Sequence, residues 1–494
     1  MQSSRSPALA RALRGACQTP SSHTASRSTV RTLTTTSLSN HTARSRQPTL
    51  IRQLLTTTTT TTTGTTQTRH ASSSEPTTTP LQKTPLHPLH LAHGAKLVPF
   101  GGFHMPVQYA ALSVAQSHLF TRSRASVFDV SHMVQRVFGG AGAARFLQRV
   151  SPSGVESLGE HRSTLSCLLK GDGSGGIVDD AIITRLGNGG GLGEGFYVVT
   201  NAACREKDDV YFDREVERWN GEMGGEGLGV REERLDGRGL VALQGPGAEA
   251  VLDGVLAREG GEGAVGLELR KLLFGQSAYA RVSLGGGTRV SCPVLISRGG
   301  YTGEDGFEIS VAGDEAVAVT EALLAAGPDK VQLAGLGARD SLRLEAGMCL
   351  YGHDLDESTT PVEAGLSWII PKERRTADAG FYGADVIAKQ LVAKSKGGTG
   401  VARRRVGLIV EGAPAREGAE IVSRAEEGKE PVKLGAVTGG CPSPSLGKNI
   451  AMGYVKDGFH KAGTEVDVLV RGRPRKAVVV KMPFVPTKYW KGEA

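Results

Sequence analysis

The amino-acid sequence predicts a mixed α+β protein whose C-terminal part is a small antiparallel β-barrel or sandwich. Three observations carry that expectation. Beyond residue 400 the apolar pattern has a period of two, with VGLIV, LGAVT, IAMGYV, EVDVLV and AVVVKM as short runs parted by Gly, Pro and Asn. Before that point helix-like and strand-like segments are mixed along the chain. The 494 residues suffice for two to four domains with large cores.

Charge divides the chain. The net charge of +8 invites a nucleic-acid reading, but residues 1–74 hold nine arginines, no lysine and no acid. The remainder has 49 basic against 50 acidic residues, which leaves no electrostatic footprint for a phosphate backbone. Nucleic acid is not expected as a partner. An Arg-, Ser- and Thr-rich, acid-free start, with eight threonines from Thr56 to Thr63, has the composition of a mitochondrial transit peptide. Leu9 to Gly15 (LARALRG) reads as its basic amphipathic segment. No run of 18 apolar residues is present, so no membrane span is expected. The six cysteines (Cys17, Cys167, Cys204, Cys292, Cys349 and Cys441) are scattered without a CxxC pair. This argues against a zinc site or a disulfide framework and fits a reducing compartment.

Residues 75–85 form a Pro/Thr-rich linker, with ordered structure expected near Leu86. His87, His90 and His93 recur every three residues, but Pro88 interrupts them and no Cys or carboxylate is close, so packing and capping are expected rather than a metal. Ser126 to Phe138 (SVFDVSHMVQRVF) reads as a strand pair with Asp129, Ser131 and His132 in a hydrogen-bonded turn. Gly139 to Val150 and Leu240 to Leu252 each open a helix behind glycines. The latter comes close to a dinucleotide fingerprint, but Pro246 removes a donor and no βαβ alternation surrounds it. GCPSPSLGKN, near Gly440, has the wrong spacing for a phosphate loop. In GGIVDDAII (Gly175 to Ile183) two adjacent aspartates lie between apolar pairs, so one must lean inward, where a carboxylate is costly unless paired or used. Phe196 to Cys204 is a strand ending at Asn201. Gly187–Gly195 and Gly221–Gly229 read as exposed loops.

Arg298 to Ser310 (RGGYTGEDGFEIS) is the densest motif. Gly303-Glu304-Asp305-Gly306 is turn chemistry, with Asp able to bond its own backbone. The alternation that follows places Phe307, Ile309 and Val311 on one strand face and Glu308 on the other, toward Tyr301. Asp314 is expected to cap a helix reaching Gly327. In Gly337 to Asp356, Arg339 and Arg343 share a helix face, a like-charge pair that calls for an acceptor such as Asp340, Glu345 or a ligand. Residues 371–400, charged, then helical, then Gly-rich, mark a domain boundary.

FDVSHM, GGIVDD, GYTGEDGFEI, ARDSLRLEAGMCLYG, TTPVE, GCPSPSLGKNIAMGY and KMPFVPT occur in this order between Leu86 and Tyr489. Together they resemble the aminomethyltransferase of the glycine cleavage system, its T-protein. The resemblance implies a three-domain cloverleaf around a central folate site, with two interleaved α+β domains in 86–370, a linker and helix in 371–400 and a β-barrel in 401–489. It implies transfer of a methylene group from an aminomethyl-dihydrolipoyl carrier, the lipoylated H-protein, to tetrahydrofolate as co-substrate, without a metal, in the mitochondrial matrix. Ammonia and 5,10-methylenetetrahydrofolate are then the products. Carried over by position, Asp180 is the essential aspartate, Glu308 the pterin-binding glutamate and Tyr301 a lining residue. Arg339 is the folate-contacting arginine, Asn201 the site asparagine and Tyr489 the C-terminal substrate-contacting tyrosine. The alternative on the same fold is a folate-binding iron–sulfur cluster assembly factor. Its KGCYxGQE-type motif contains a cysteine where this chain has GYTGEDGFEI.

Overall fold

Stretches of period two become strands, and apolar stripes of helices close over them. The computed structural model describes residues 80–187, 191–257, 267–424 and 430–493. The expected leader, with its Leu9 to Gly15 segment, lies outside the described residues, as does most of the linker. Pro80 onward is described, and Gln82 already exchanges backbone bonds with Gly102 and His104. Structure therefore starts before Leu86, because the hairpin of β1 (Lys96–Phe100) and β2 (Phe103–Gln108) offers an edge for pairing.

His90 is not free for a metal. Its ring contacts Asp129 at 2.8 Å and Tyr109 at 2.9 Å, while Thr84 donates to Asp129. The Asp129 carboxylate also accepts the Ser131 amide, as expected of that turn. The strands flanking it, β3 (Ala125–Asp129) and β4 (Val134–Gly139), do not pair with each other. The expected strand pair is instead a crossover between two sheets, since both strands are buried on both faces and each needs its own neighbours.

One sheet has five strands, β5 (Ser163–Leu169), β6 (Ile177–Leu186), β7 (Gly195–Thr200), β4 and β8 (Arg231–Arg234), in that order. The helices Ala143–Val150 and Arg205–Met223 pack on it through Phe146, Phe212 and Trp219. The second helix runs through Gly221, so the stretch Gly221–Gly229 is only partly a loop. The other sheet has six strands, β10 (Gln276–Ala280), β13 (Val294–Arg298), β14 (Gly306–Val311), β9 (Gly239–Gln244), β3 and β15 (Val331–Leu333), while β11 (Ser283–Leu284) and β12 (Arg289–Val290) pair only with each other. Phe307, Ile309 and Val311 all enter its core, fully buried, as their alternation requires. The helix after β14 begins at Ala316 behind a short 3-10 turn. No cap bond from Asp314 forms, because Glu315 takes that place and binds the Cys292 amide and Arg289. Phe128, Val137, Tyr197, Ala242 and Leu342 fill the layer where the two sheets face each other.

The C-terminal strands close a six-stranded antiparallel barrel, β16 (Arg403–Val410), β19 (Lys448–Lys456), β18 (Lys433–Ser443), β17 (Glu420–Val422), β20 (Glu465–Val470) and β21 (Arg473–Val480). Of the alternatives left by the sequence, closure decides for a barrel. Strand β17 has only three residues and gives no periodic signal. The helix Ala384–Leu391 in the presumed boundary packs Ile387 against Cys167, Leu169 and Ile177. Cys167, Cys204, Cys349 and Cys441 are buried free thiols.

Glu345, fully buried at the end of the helix Leu336–Glu345, joins these parts. It accepts from Arg122 at 2.7 Å, from Ser443 at 2.5 Å and from Ser445 at 2.7 Å, and His118 lies 3.1 Å away. Burial by itself raises its pKa, but the hydrogen bonds from His118 and Ser443 more than reverse this and hold it at about 2. Ionised Glu345 therefore stabilises the fold fully above its unfolded pKa, and that stabilisation is lost as pH falls toward about 2. Glu345→Ala should cost about 3–5 kcal/mol in urea unfolding at pH 7, since it removes the main partner of the largely buried Arg122 guanidinium. The difference from wild type should shrink below pH 4.5, the ordinary glutamate value. A constant difference across that range would mean that Glu345 is not ionised in the folded protein.

Candidate active site

The glycine turn is built by close approach. A Cβ on Gly300 would lie 2.0 Å from Gln244 Oε1, and Gly303 has φ +79°. Gln244, at the end of β9, donates to Gly299 O at 2.9 Å and accepts from Thr302 at 2.8 Å. Asp305 does not bond its own backbone. Arg298 and the Trp490 amide take its carboxylate, and the fully buried Glu304 takes Arg122 and Lys488. Asp305 and Glu304 Oε1 are thus spent on holding the turn, Glu304 Oε2 stays buried without a partner, and Glu308 takes no bond from the turn.

Glu308 lies opposite Ala242 on the face of β14 that meets the other sheet. Neither of its oxygens takes a hydrogen bond from a described residue. Burial raises its pKa, and the Arg339 charge pulls the other way. The Arg339 guanidinium lies 5.0 Å from the Tyr301 ring and 6.0 Å from that of Phe128, and its Nη1 is buried without a partner. Arg343, expected to share its acceptor, is instead satisfied by Asp340 at 2.9 Å and Asp354 at 2.7 Å. Of the two arginines, Arg339 alone has a buried nitrogen without a partner. An acceptor and a donor left open in one apolar layer are the signature of a ligand site.

The aspartate pair divides by the alternation of β6. Asp179 shares a face with Ala181 and Ile183, toward the helix Arg205–Met223, and is fully buried. Asp180 takes the other face, half-buried, within electrostatic reach of Tyr301, Cys349 and Asp354. Strand β7 stops at Thr200, and Asn201 bridges the pair from there. Its Nδ2 donates to Asp179 Oδ1 at 2.8 Å and Asp180 Oδ1 at 2.9 Å, and its backbone N–H to Asp179 Oδ2 at 2.9 Å. Burial and then the adjacent Asp179 push Asp180 up to about 7. Tyr301 links the two halves, since it contacts Arg339, feels Asp180 and donates its hydroxyl to Cys349 O.

Tyr489 stands apart from Asp180. Its ring stacks on Phe274 at 4.2 Å, near Arg122 and Glu304, and its hydroxyl is buried without a partner. The C-terminal tail brings it back to the turn, with the Lys488 amide bonded to Gly303 O at 2.8 Å. The sequence reading gave His132 only a turn and missed Lys207 and Asp208. His132, whose Nδ1 is buried and unpartnered, is held at about 4, by burial first, within reach of the Arg339 charge. Lys207 donates to Val178 O and to Tyr351. Asp208 lies behind Asp179, and Asp179, Cys204 and Asp208 have ligand-type atoms within 4.8 Å of one another. That spacing is compatible with a cation, but both Asp179 oxygens are already held by Asn201.

With this geometry in place, known proteins can be set beside it. Residues 86–374 match the family model described as the GCVT N-terminal domain, and residues 403–486 match the glycine cleavage T-protein C-terminal barrel domain. The chain belongs to the glycine cleavage T-protein family. It is similar to the aminomethyltransferase, mitochondrial, of Homo sapiens, 46% identical over 410 residues, covering 83% of this chain and 91% of that one. It is likewise similar to the probable aminomethyltransferase, mitochondrial, of Schizosaccharomyces pombe, 45% identical over 411 residues, 83% of this chain and 95% of that one. The crystal structure of glycine cleavage system aminomethyltransferase T from Bartonella henselae aligns with a TM-score of 0.69 at 36% identity, over 83% of this chain and all of that one. The family makes this chain an aminomethyltransferase of the glycine cleavage system, located in mitochondria, and these relatives do not favour the assembly-factor alternative. Among the described residues no helix is long and apolar enough to cross a membrane.

If Glu308 and Arg339 are kept for a ligand, the fold should not need them. The double variant Glu308→Leu/Arg339→Met should match wild type in urea unfolding or exceed it by about 1 kcal/mol. A loss of stability beyond about 2 kcal/mol would make the pair structural.

Proposed function

We propose that the chain transfers the methylene group of an aminomethyl-dihydrolipoyl carrier, the lipoylated H-protein, to tetrahydrofolate at the site formed by Asp180, Asn201, Tyr301, Glu308, Arg339 and Tyr489. The observation that carries this reading is the open pair: Arg339 Nη1 is buried without a partner, and Glu308, which feels the Arg339 charge, takes no hydrogen bond from a described residue. A pterin edge presents adjacent N–H donors beside a carbonyl, and it fits that pair. Glu308 accepts the donors in a charge-assisted fork and Arg339 donates to the carbonyl. The Tyr489 hydroxyl is a second buried polar group left open, suited to a more distant part of the same substrate.

Tetrahydrofolate supplies the two nitrogens to which the transferred carbon becomes bonded. The carbon loses its bonds to nitrogen and sulfur, ammonia and the dihydrolipoyl thiol leave, and the two folate N–H protons are passed on. Positive character grows on that carbon as ammonia departs. The Asp180 carboxylate, half-buried and fixed by Asn201, stabilises it without reorganising. We favour this positioning and electrostatic role over that of a simple base.

Folate-dependent ammonia release by residues 75–494 from aminomethylated lipoyl carrier tests the reading. Folate binding without release would replace it with the assembly-factor alternative. Asp180→Asn should bind folate normally and lose roughly 100- to 1,000-fold in kcat, and unchanged turnover would remove Asp180 from the mechanism. In the wild type kcat should rise with pH through about 7 as Asp180 ionises. A flat profile there would show that its charge is not used. Glu308→Ala should raise the folate Kd by roughly 10- to 100-fold, the worth of one or two charge-assisted bonds. An unaltered Kd would refute the pterin assignment.

A further inference from the structure

Asp208 is buried, close to the site, and has no role in the reaction as described. It lies in the first turn of the helix Arg205–Met223 with its side chain fully shielded, and neither carboxylate oxygen has a hydrogen-bond partner. The groups that face it leave it uncompensated. On its own helix, Lys207 is committed to Val178 O and the Tyr351 hydroxyl, and the Tyr211 hydroxyl is donated to Leu169 O. From β7, Thr200 Oγ1 is itself without a partner. From β6 comes Asp179, with Asp180 beyond it, and Cys204 lies at the helix start.

A carboxylate oxygen of Asp179 and one of Asp208 lie within 4.8 Å inside the protein. Both cannot be ionised without a cation, because like charges this close in a shielded site drive one group to hold its proton. Asp179 is the one with donors, since Asn201 gives it a backbone and a side-chain N–H. Asp208 has only the Thr200 hydroxyl nearby, without hydrogen-bond geometry, so a proton of its own, shared with Asp179, is the partner that satisfies it.

We propose that Asp208 is held as a neutral carboxylic acid whose O–H donates to Asp179, and that this acid pair, acting through Asn201, sets the position and charge of Asp180. Asp208 is a positioning residue, and its role rests on the transfer reaction proposed above. Burial and then the Asp179 charge push Asp208 up to about 9, in agreement with a neutral acid at physiological pH. The chain of contacts is continuous. Asp208 limits the charge on Asp179, Asp179 clamps Asn201, and Asn201 Nδ2 holds Asp180 Oδ1. With the acid proton removed, Asp179 would carry a fuller negative charge beside Asp180 and keep Asp180 protonated to higher pH.

The test compares Asp208→Asn with Asp208→Ala in the full chain, using the pH profile of kcat and the carboxyl region of the infrared spectrum. Asparagine keeps an N–H donor toward Asp179 and cannot ionise, so kcat should stay within about threefold of wild type. Alanine removes the donor, so the acid limb of the kcat profile should move up by about one pH unit, with roughly a tenfold loss at pH 7 that recovers at higher pH. A role confined to stability would lower the melting temperature without moving that limb. An unmoved limb in Asp208→Ala, or equal damage in both variants, would overturn the proposal. So would a stoichiometric divalent metal in the purified protein, or the lack of a protonated-carboxyl band in the wild type that Asp208→Asn removes. Should wild type show no folate-dependent ammonia release, the reaction reading fails, while the infrared band still decides whether the acid pair exists.

Discussion

The Glu345 carboxylate is the constraint on which the rest depends. Its two oxygens collect donors from the helix Val114–Ser123, from the end of β18 and from the loop that follows it. Its backbone carbonyl receives the amides of Phe484 and Val485. Arg122 passes the connection on, since the guanidinium that binds Glu345 also binds Glu304 and Thr302 O in the glycine turn. One residue, through its ionised side chain and its backbone carbonyl, therefore fixes the barrel, the C-terminal tail and the turn to a single helix. Inside a protein such a charge is tolerated only when fully hydrogen-bonded, and that requirement makes the junction specific.

The helix beginning at Leu336 shows how buried charge is divided between holding the fold and serving the site. Arg343 is bound to Asp340 and Asp354 and Glu345 to Arg122 and Ser443, while Arg339, on the same helix, retains a buried open donor. The glycine turn makes the same division. Glu304 and Asp305 are spent on Arg122, Lys488 and Arg298, and Glu308 is left open. Unsatisfied polar groups are costly in a folded protein, and Arg339 Nη1 is one of them, buried beside the Tyr301 and Phe128 rings. The satisfied groups around them offset the cost and keep the open ones in place.

The acids on β6 extend the theme. Alternation sends Asp179 and Asp180 to opposite faces, and the early end of β7 lets Asn201 reach both. The environment of one aspartate then sets the ionisation of the other. Such coupling makes the charge on Asp180 respond to pH near neutrality, where an exposed aspartate would be fully ionised.

Much of this was legible in the chain. Period-two runs announced most of the barrel strands, the alternation of FEISV placed Glu308 opposite Phe307 and Ile309, and the doublet Asp179-Asp180 announced a buried acid. These are local properties, fixed by the two-residue repeat of a strand and by the cost of burying charge. What only the tertiary structure decided are the pairings across long separations. Ser126 to Phe138 reads as a hairpin, yet its strands belong to different sheets, because two-sided burial forces each to find separate neighbours. Arg339 and Arg343 look equivalent four residues apart until Asp354 takes one of them. Asp208 carries no signal in sequence, because its meaning depends on Asp179, a residue on another element. Sequence sets the local periodicity and the stock of charges; which charges meet depends on packing, because electrostatic partners are chosen by distance in space.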